Sequence, residues 1–132
     1  MIESELRDIA SKRLDTDLIA TKDVYCTFDA HCDDYVVELK CRRTHYPTQL
    51  IEYKKFKANN DQADESGKEF LYVISTPSGE YIFNVSKLIA DDYDFGWEDR
   101  RMPSKTDFNS PSLMVNKKVG YIDVMDCIPI HI

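Results

Sequence analysis

The sequence predicts one α/β domain, and three observations carry that expectation. Its 132 residues can close one hydrophobic core and are too few for two ordinary domains. With 42% hydrophobic and 31% charged residues, it has the composition of a globular chain and not of a disordered one. Along the chain, stretches with helical spacing alternate with stretches rich in Val, Tyr, Phe and Thr. No apolar run approaches the roughly 20 residues of a membrane span. The segment MIESELRDIASKRL is charged and lacks the apolar centre of a cleaved signal peptide. A cytoplasmic protein with no membrane partner is therefore expected. The formal net charge is −7, from 17 Lys and Arg against 24 Asp and Glu, which taken whole argues against a nucleic-acid partner.

The elements follow in order. Ile2, Leu6, Ile9 and Ala10 share one helical face, which predicts an amphipathic helix over Ile2–Leu14. Residues 23–42, broken by Asp33–Asp34, read as two strands joined by a tight turn. Pro47 and Thr48 open a second helix over Gln49–Ala58, where Leu50, Tyr53 and Phe56 have helical spacing. The polar run NNDQADESGK at 59–68 has the composition of a solvated loop. Glu69–Ser75 and Glu80–Val85 read as strands around the turn residues Pro77-Ser78-Gly79. Periodicity then weakens, leaving a short helix over Ser86–Ala90 capped by Ser86 and a last strand within Lys117–Met125. One domain over residues 1–132 is expected, with a core at about 2–85 and a C-terminal extension at 86–132.

The first strand pair is the most informative part of the chain. If Asp33–Asp34 is a two-residue turn, cross-strand partners sum to 67, which sets Asp29 opposite Glu38 and Thr27 opposite Lys40. Side chains alternate, so one face carries Tyr25, Thr27, Asp29 and His31 beside Val36, Glu38, Lys40 and Arg42. The other carries Cys26, Phe28, Ala30 and Cys32 beside Tyr35, Val37, Leu39 and Cys41, and is apolar throughout. A slip of one residue would mix the two sets. Three of the four cysteines thus fall on the core face. Their spacing, and that of Cys127, fits no common zinc motif, although His31 and His45 lie among them. Buried, reduced thiols are the other reading. On the polar face, two opposed carboxylates with Cβ atoms about 4.5–5.5 Å apart repel unless something positive lies between them. A divalent cation such as Mg²⁺ or Mn²⁺, with a neighbouring Lys, would suit phosphodiester hydrolysis. A solvated strand face on which Glu38 and Lys40 meet water accounts for the same residues.

Asp29, followed nine positions on by Glu38-Leu39-Lys40, resembles the PD-(D/E)XK nuclease superfamily, with Phe28 where that motif carries proline. The order of helix, strands, helix and strand is similar as well. Gln49-x-x-x-Tyr53 is similar to an element of the RecB-like branch, which includes small nucleases of the Holliday-junction-resolvase type. The resemblance spans residues 2–85. It implies a restriction-endonuclease-like core, a mixed β-sheet flanked by helices, and a metal-dependent nuclease acting on DNA, with RNA as the other substrate left open. Asp29, Glu38 and the backbone carbonyl of Leu39 would hold one or two Mg²⁺ (or Mn²⁺) ions. Lys40 would orient the attacking water or stabilise the transition state, and Gln49 and Tyr53 would position the site and the DNA. A first-helix Glu often completes the metal shell in this superfamily; Glu5 is the better match and Glu3 borders the same face. A homodimer is a reasonable way for so small a nuclease to span a duplex.

Divided along the chain, the charge changes its meaning. Residues 40–57 hold six basic side chains and one acidic, a local +5 that leaves −12 for the rest. Arg42 and Arg43 are the better phosphate ligands there, with His45 and Tyr46 adding hydrogen bonding and stacking. Lys54, Lys55 and Lys57 fit either a solvated helix face or backbone contacts. Trp97 in FGWEDRR could stack on bases or belong to the core. Nothing positions Cys127 and His45 as a nucleophile pair. Two rival functions remain: a degenerate nucleic-acid-binding module of the same fold, and an acidic protein-interaction domain using DDYDFGWEDRR at 91–101.

Overall fold

A computed structural model describes residues 1–23, 26–104 and 113–129. The chain runs α1 (Glu3–Leu14), β1 (Ile19–Ala20), β2 (Ala30–His31), β3 (Tyr35–Cys41), β4 (Thr48–Glu52), α2 (Tyr53–Ser66), β5 (Glu69–Thr76), β6 (Gly79–Asn84), α3 (Val85–Ala90), β7 (Glu98–Pro103) and β8 (Met114–Asp123), and ends in a 3-10 turn at Val124–Asp126.

Five strands form a mixed sheet in the order β1-β2-β3-β5-β6. β3 and β5 are parallel, and the crossover this requires is supplied by α2. A sheet covered on both faces reads as continuous apolar sequence, which is why Phe70 to Thr76 are all buried. Alternation sorts the side chains into two cores. Val37, Leu39, Leu71, Val73 and Ile82 meet Leu6 and Ala10 of α1. Val36, Phe70, Tyr72, Ile74 and Phe83 meet Ala63 of α2 and Ile51, Phe95 and Ile122 from the other end of the chain. Burying each such side chain is worth about 1.5–3 kcal/mol. The second core is closed by another sheet, antiparallel, in the order β4-β8-β7. None of the described helices is long and apolar enough to cross a membrane.

The register of the first hairpin is as expected: Ala30 pairs with Val37 and His31 with Val36. The Asp29 N–H donates to the Val37 carbonyl at 2.9 Å and the Cys32 N–H to that of Tyr35 at 3.0 Å. Its first strand is far shorter than residues 23–32, however. Phe28 leaves the α1 face, packs with the opposite core and meets the His31 ring edge-on. Tyr25 lies outside the described residues.

The expected second helix is a strand followed by a helix. Thr48–Glu52 pairs with Val119–Asp123, and α2 begins only at Tyr53. The alternation exposed, buried, half-buried, buried from Thr48 to Ile51 is a strand pattern that the helical spacing of Leu50, Tyr53 and Phe56 obscured. The expected solvated loop at 59–68 is mostly helix, continuing to Ser66 and stopped by Gly67 at φ 67°, in the left-handed region glycine favours. Its buried face is Phe56, Asn59 and Ala63, and the Asn in the middle hides the apolar stripe. The cap of α3 is Asn84, whose side chain accepts from the Lys87 N–H; Ser86 accepts instead from Phe70. β7 and β1 had no signal in the sequence, and β8 starts three residues earlier than expected.

Candidate metal and nucleic-acid site

Among the described residues, Glu38 is the one acidic side chain that is buried, 6% exposed, because β3 carries it under α2. Asn59 Nδ2 of α2 lies 3.5 Å from Glu38 Oε2, and the Thr27 hydroxyl donates to Asn59 Oδ1. Lys55 Nζ stands 3.8 Å from Glu38 Oε1. Asp29 sits beside the first hairpin rung, and its Oδ2 accepts the Leu39 N–H at 2.9 Å, tying the two carboxylate-bearing segments together. Burial first, and the charge of Asp29 second, push the Glu38 carboxyl up to about 7, against the opposing pull of Lys55, Lys40 and Asn59. Burial, then the positive charges of Lys55 and Arg42, hold the Lys40 ammonium below its usual range.

Glu38, Lys40, Arg42, Glu52, Lys55 and Asn59 line a cavity of about 20 Å³, enough for one water or one ion. Among the described residues, no three Asp, Glu, His or Cys side chains converge as a ligand set. The donor chemistry nonetheless fits a hard divalent cation. A buried carboxylate with a second beside it is short of positive charge, and Mg²⁺ commonly takes one or two carboxylates and completes its shell with water.

The first-helix Glu at this site is Glu3, not Glu5. The Glu3 carboxyl is raised by burial and by the charge and hydrogen bond of Asp29, and it feels Lys40. Glu5 has no such link to Asp29; its charge, like that of Glu3, acts on Cys41. Two residues are about 200° apart around a helix, so Glu3 and Glu5 cannot present their side chains to the same place.

Gln49 and Tyr53 do not share a helix face. Gln49 is a buried β4 residue, 2% exposed, whose Nε2 donates to the Tyr46 carbonyl at 2.7 Å and holds the loop entering the strand. Tyr53 opens α2, stacks with Phe56, meets Trp97 edge-on, and has Lys118 Nζ 4.2 Å from its ring centre. Arg42 is on the site face, but its guanidinium donates to the Leu50 carbonyl and the Tyr72 hydroxyl, clamping β3 to β4. Burial pushes the Tyr72 hydroxyl up to about 12, and it donates to that same carbonyl. His45 Nδ1 meets Thr76 Oγ1 at 2.9 Å beside the Tyr81 ring, a loop-holding contact. Arg43 is exposed at the end of β3, and Lys54 lines a neighbouring cleft.

Three residues of the site had no motif to reveal them: Asn59, Lys55 and Glu52. Glu52 hydrogen-bonds Lys117 Nζ at 3.0 Å, and that bond and charge outweigh burial to hold its carboxyl low. Trp97 belongs to a cluster with Tyr53, Phe56 and Phe95 rather than to an open stacking platform. The cysteines are free thiols, with Cys32 buried among Leu6, Leu39 and their neighbours.

No family model matches the chain, and no curated protein matches it in sequence. In three dimensions it is similar to the 1.6 Å structure of Hjc from Archaeoglobus fulgidus, a Holliday junction resolvase from an archaeal hyperthermophile. The TM-score is 0.53 at 16% identity, over 92% of this chain and 83% of that one. The chain therefore has the restriction-endonuclease-like fold of PD-(D/E)XK nucleases that its sequence resembles.

Proposed function

We propose that the protein is a metal-dependent nuclease that hydrolyses phosphodiester bonds in DNA. The observation that supports this most is Glu38 beside Lys40 at a small cavity in this fold, with Asp29 bonded to the Leu39 N–H and near enough for its charge to raise the Glu38 carboxyl. Asp29, Glu38 and the Leu39 carbonyl would hold Mg²⁺ or Mn²⁺, with Glu3 nearby in place of Glu5. A bound divalent cation lowers the pKa of water and counters the charge that develops on phosphate. Lys40, already disposed to lose its proton by burial and its cationic neighbours, would position the attacking water or offset that charge. Asn59 would hold the Glu38 carboxylate in place from behind. Gln49 would act at one remove, by fixing β4 and the Tyr46 loop, while Arg43 and Lys54 would contact the backbone.

A second reading keeps the fold and loses the chemistry. It is favoured by Lys55, whose ammonium stands where a cation would neutralise Glu38. One assay separates the two. Linear, nicked, branched and single-stranded DNA, and RNA, are incubated with protein in Mg²⁺ or Mn²⁺, alongside Glu38→Ala and Lys40→Ala. The nuclease reading expects cleavage of DNA by the wild type, reduced at least 100-fold by either substitution. Binding without cleavage of any substrate would leave the non-catalytic module.

A further inference from the structure

The small cavity at Glu38 shares walls with two larger hollows. Glu52 and Lys55 also line a hollow of about 600 Å³ with Lys54, Asn116, Lys117 and Lys118. Arg42, Leu50 and Met102 also line a groove of about 520 Å³ with Tyr46, Arg100, Arg101 and Tyr121. Among the described residues, eight of the chain's 17 Lys and Arg line these adjoining cavities, against two of its 24 Asp and Glu. An acidic protein thus gathers a net +6 in a cleft of adjoining cavities and leaves −13 elsewhere. Half of those eight, Arg100, Arg101, Lys117 and Lys118, come from β7 and β8, the segment the sequence resemblance does not reach.

The two arms differ in chemistry. The lysine arm offers ammonium groups and an amide, point charges that neutralise phosphate without regard to base or pairing. The other arm offers flat groups. Tyr46 is 61% exposed, Arg100 and Arg101 present guanidinium planes, and the Tyr121 hydroxyl is held between Glu98 and Arg100. Such surfaces grip bases that have left the stack, because every base has a π-face and a paired duplex keeps its own covered.

We infer that the cleft takes a polynucleotide at a junction between paired and unpaired strand, the duplex backbone on the Lys54–Lys118 arm and the unpaired strand on the Tyr46–Arg101 arm. This rests on the nuclease reading only for which phosphate lies in the middle. The test measures binding with divalent metal chelated, by fluorescence anisotropy across a salt series, on a forked duplex and a blunt duplex of equal length. The wild type is expected to bind the fork at least 5-fold more tightly. Tyr46→Ala combined with Arg101→Ala is expected to abolish that preference while leaving blunt-duplex affinity within 2-fold. Lys54→Ala combined with Lys118→Gln is expected to weaken both substrates equally and to lower the salt slope by about two. Each variant is admitted only if its melting temperature and Trp97 fluorescence match the wild type. No fork preference, or equal loss of both substrates in both double variants, overturns the inference. A protein that shows the expected binding and never cuts with metal restored loses the nuclease reading and keeps this one; a protein that cuts but whose two arms behave alike does the reverse.

Discussion

Glu38 is a liability to the fold, an acidic side chain buried beneath α2. Its carboxyl titrates near 7 in the native protein against an ordinary 4.5. Below pH 4.5 the folded and unfolded chains are both protonated and the group is neutral to stability. As pH rises from there, the unfolded chain ionises first while the native one keeps its proton, so stability falls with pH until the native pKa is passed. The full loss is on the order of 3 kcal/mol. Without divalent metal, Glu38→Gln should therefore match the wild type near pH 4 and exceed it by up to that amount above pH 8. Urea unfolding at several pH values measures this, and a pH-independent difference would refute the strain on Glu38. Added Mg²⁺ should restore stability to the wild type and not to the variant, since only the ionised carboxylate gains from a cation. That Glu38 and Lys40 share a face of β3 could be read from the sequence, because period-two alternation places side chains without reference to anything distant. Asn59 and Glu3 could not, because nothing in their neighbours says what lies across the fold from them.

At the scale of elements, the contact between β8 and the aromatic cluster is the tightest joint. A Cβ built on Gly120 would stand 2.8 Å from two ring carbons of Trp97 and 3.0 Å from Phe95 Cβ. Gly120→Ala should thus cost about 1–3 kcal/mol and shift the emission of Trp97, the chain's one tryptophan. Unchanged stability and fluorescence would mean that the two sheets do not meet as described. The same joint explains the error over residues 49–58. Leu50, Tyr53 and Phe56 are spaced as on a helix, yet Thr48–Glu52 is drawn into a strand by five rungs of pairing with β8, more than sixty residues away. The polar run at 59–68 misled for a related reason. Its helix needs only Phe56, Asn59 and Ala63 inside and leaves the rest to water, so composition alone resembles a loop.

For the whole molecule, the structure gives the core three buried residues from the last third of the chain. Phe95, Val119 and Ile122 are buried, and β8 supplies the pairing of β4. A chain ended after Ala90 should therefore lose cooperative unfolding and bind hydrophobic dye, where an extension laid over a finished core would leave an intact domain. Thermal and urea melts followed by circular dichroism decide between these. The charge distribution belongs to this scale too. The chain as a whole carries −7, while the residues lining the three adjoining cavities carry a net +6, so its cations are gathered on one part of the surface.

By itself the sequence determined the first helix, the pairing of Ala30 and His31 with Val37 and Val36, the strands β5 and β6, and the placing of Glu38 and Lys40 on one face of β3. All of these follow from local periodicity, turn chemistry and alternation, which act between near neighbours. Only the tertiary structure decided that Gln49 belongs to a strand, that Glu3 and not Glu5 reaches Asp29, that Asn59 and Lys55 face Glu38, and that β7 and β8 complete the cleft. Each of those depends on pairing or packing between residues far apart in the chain, and a long-range contact leaves no period in the sequence on either side of it.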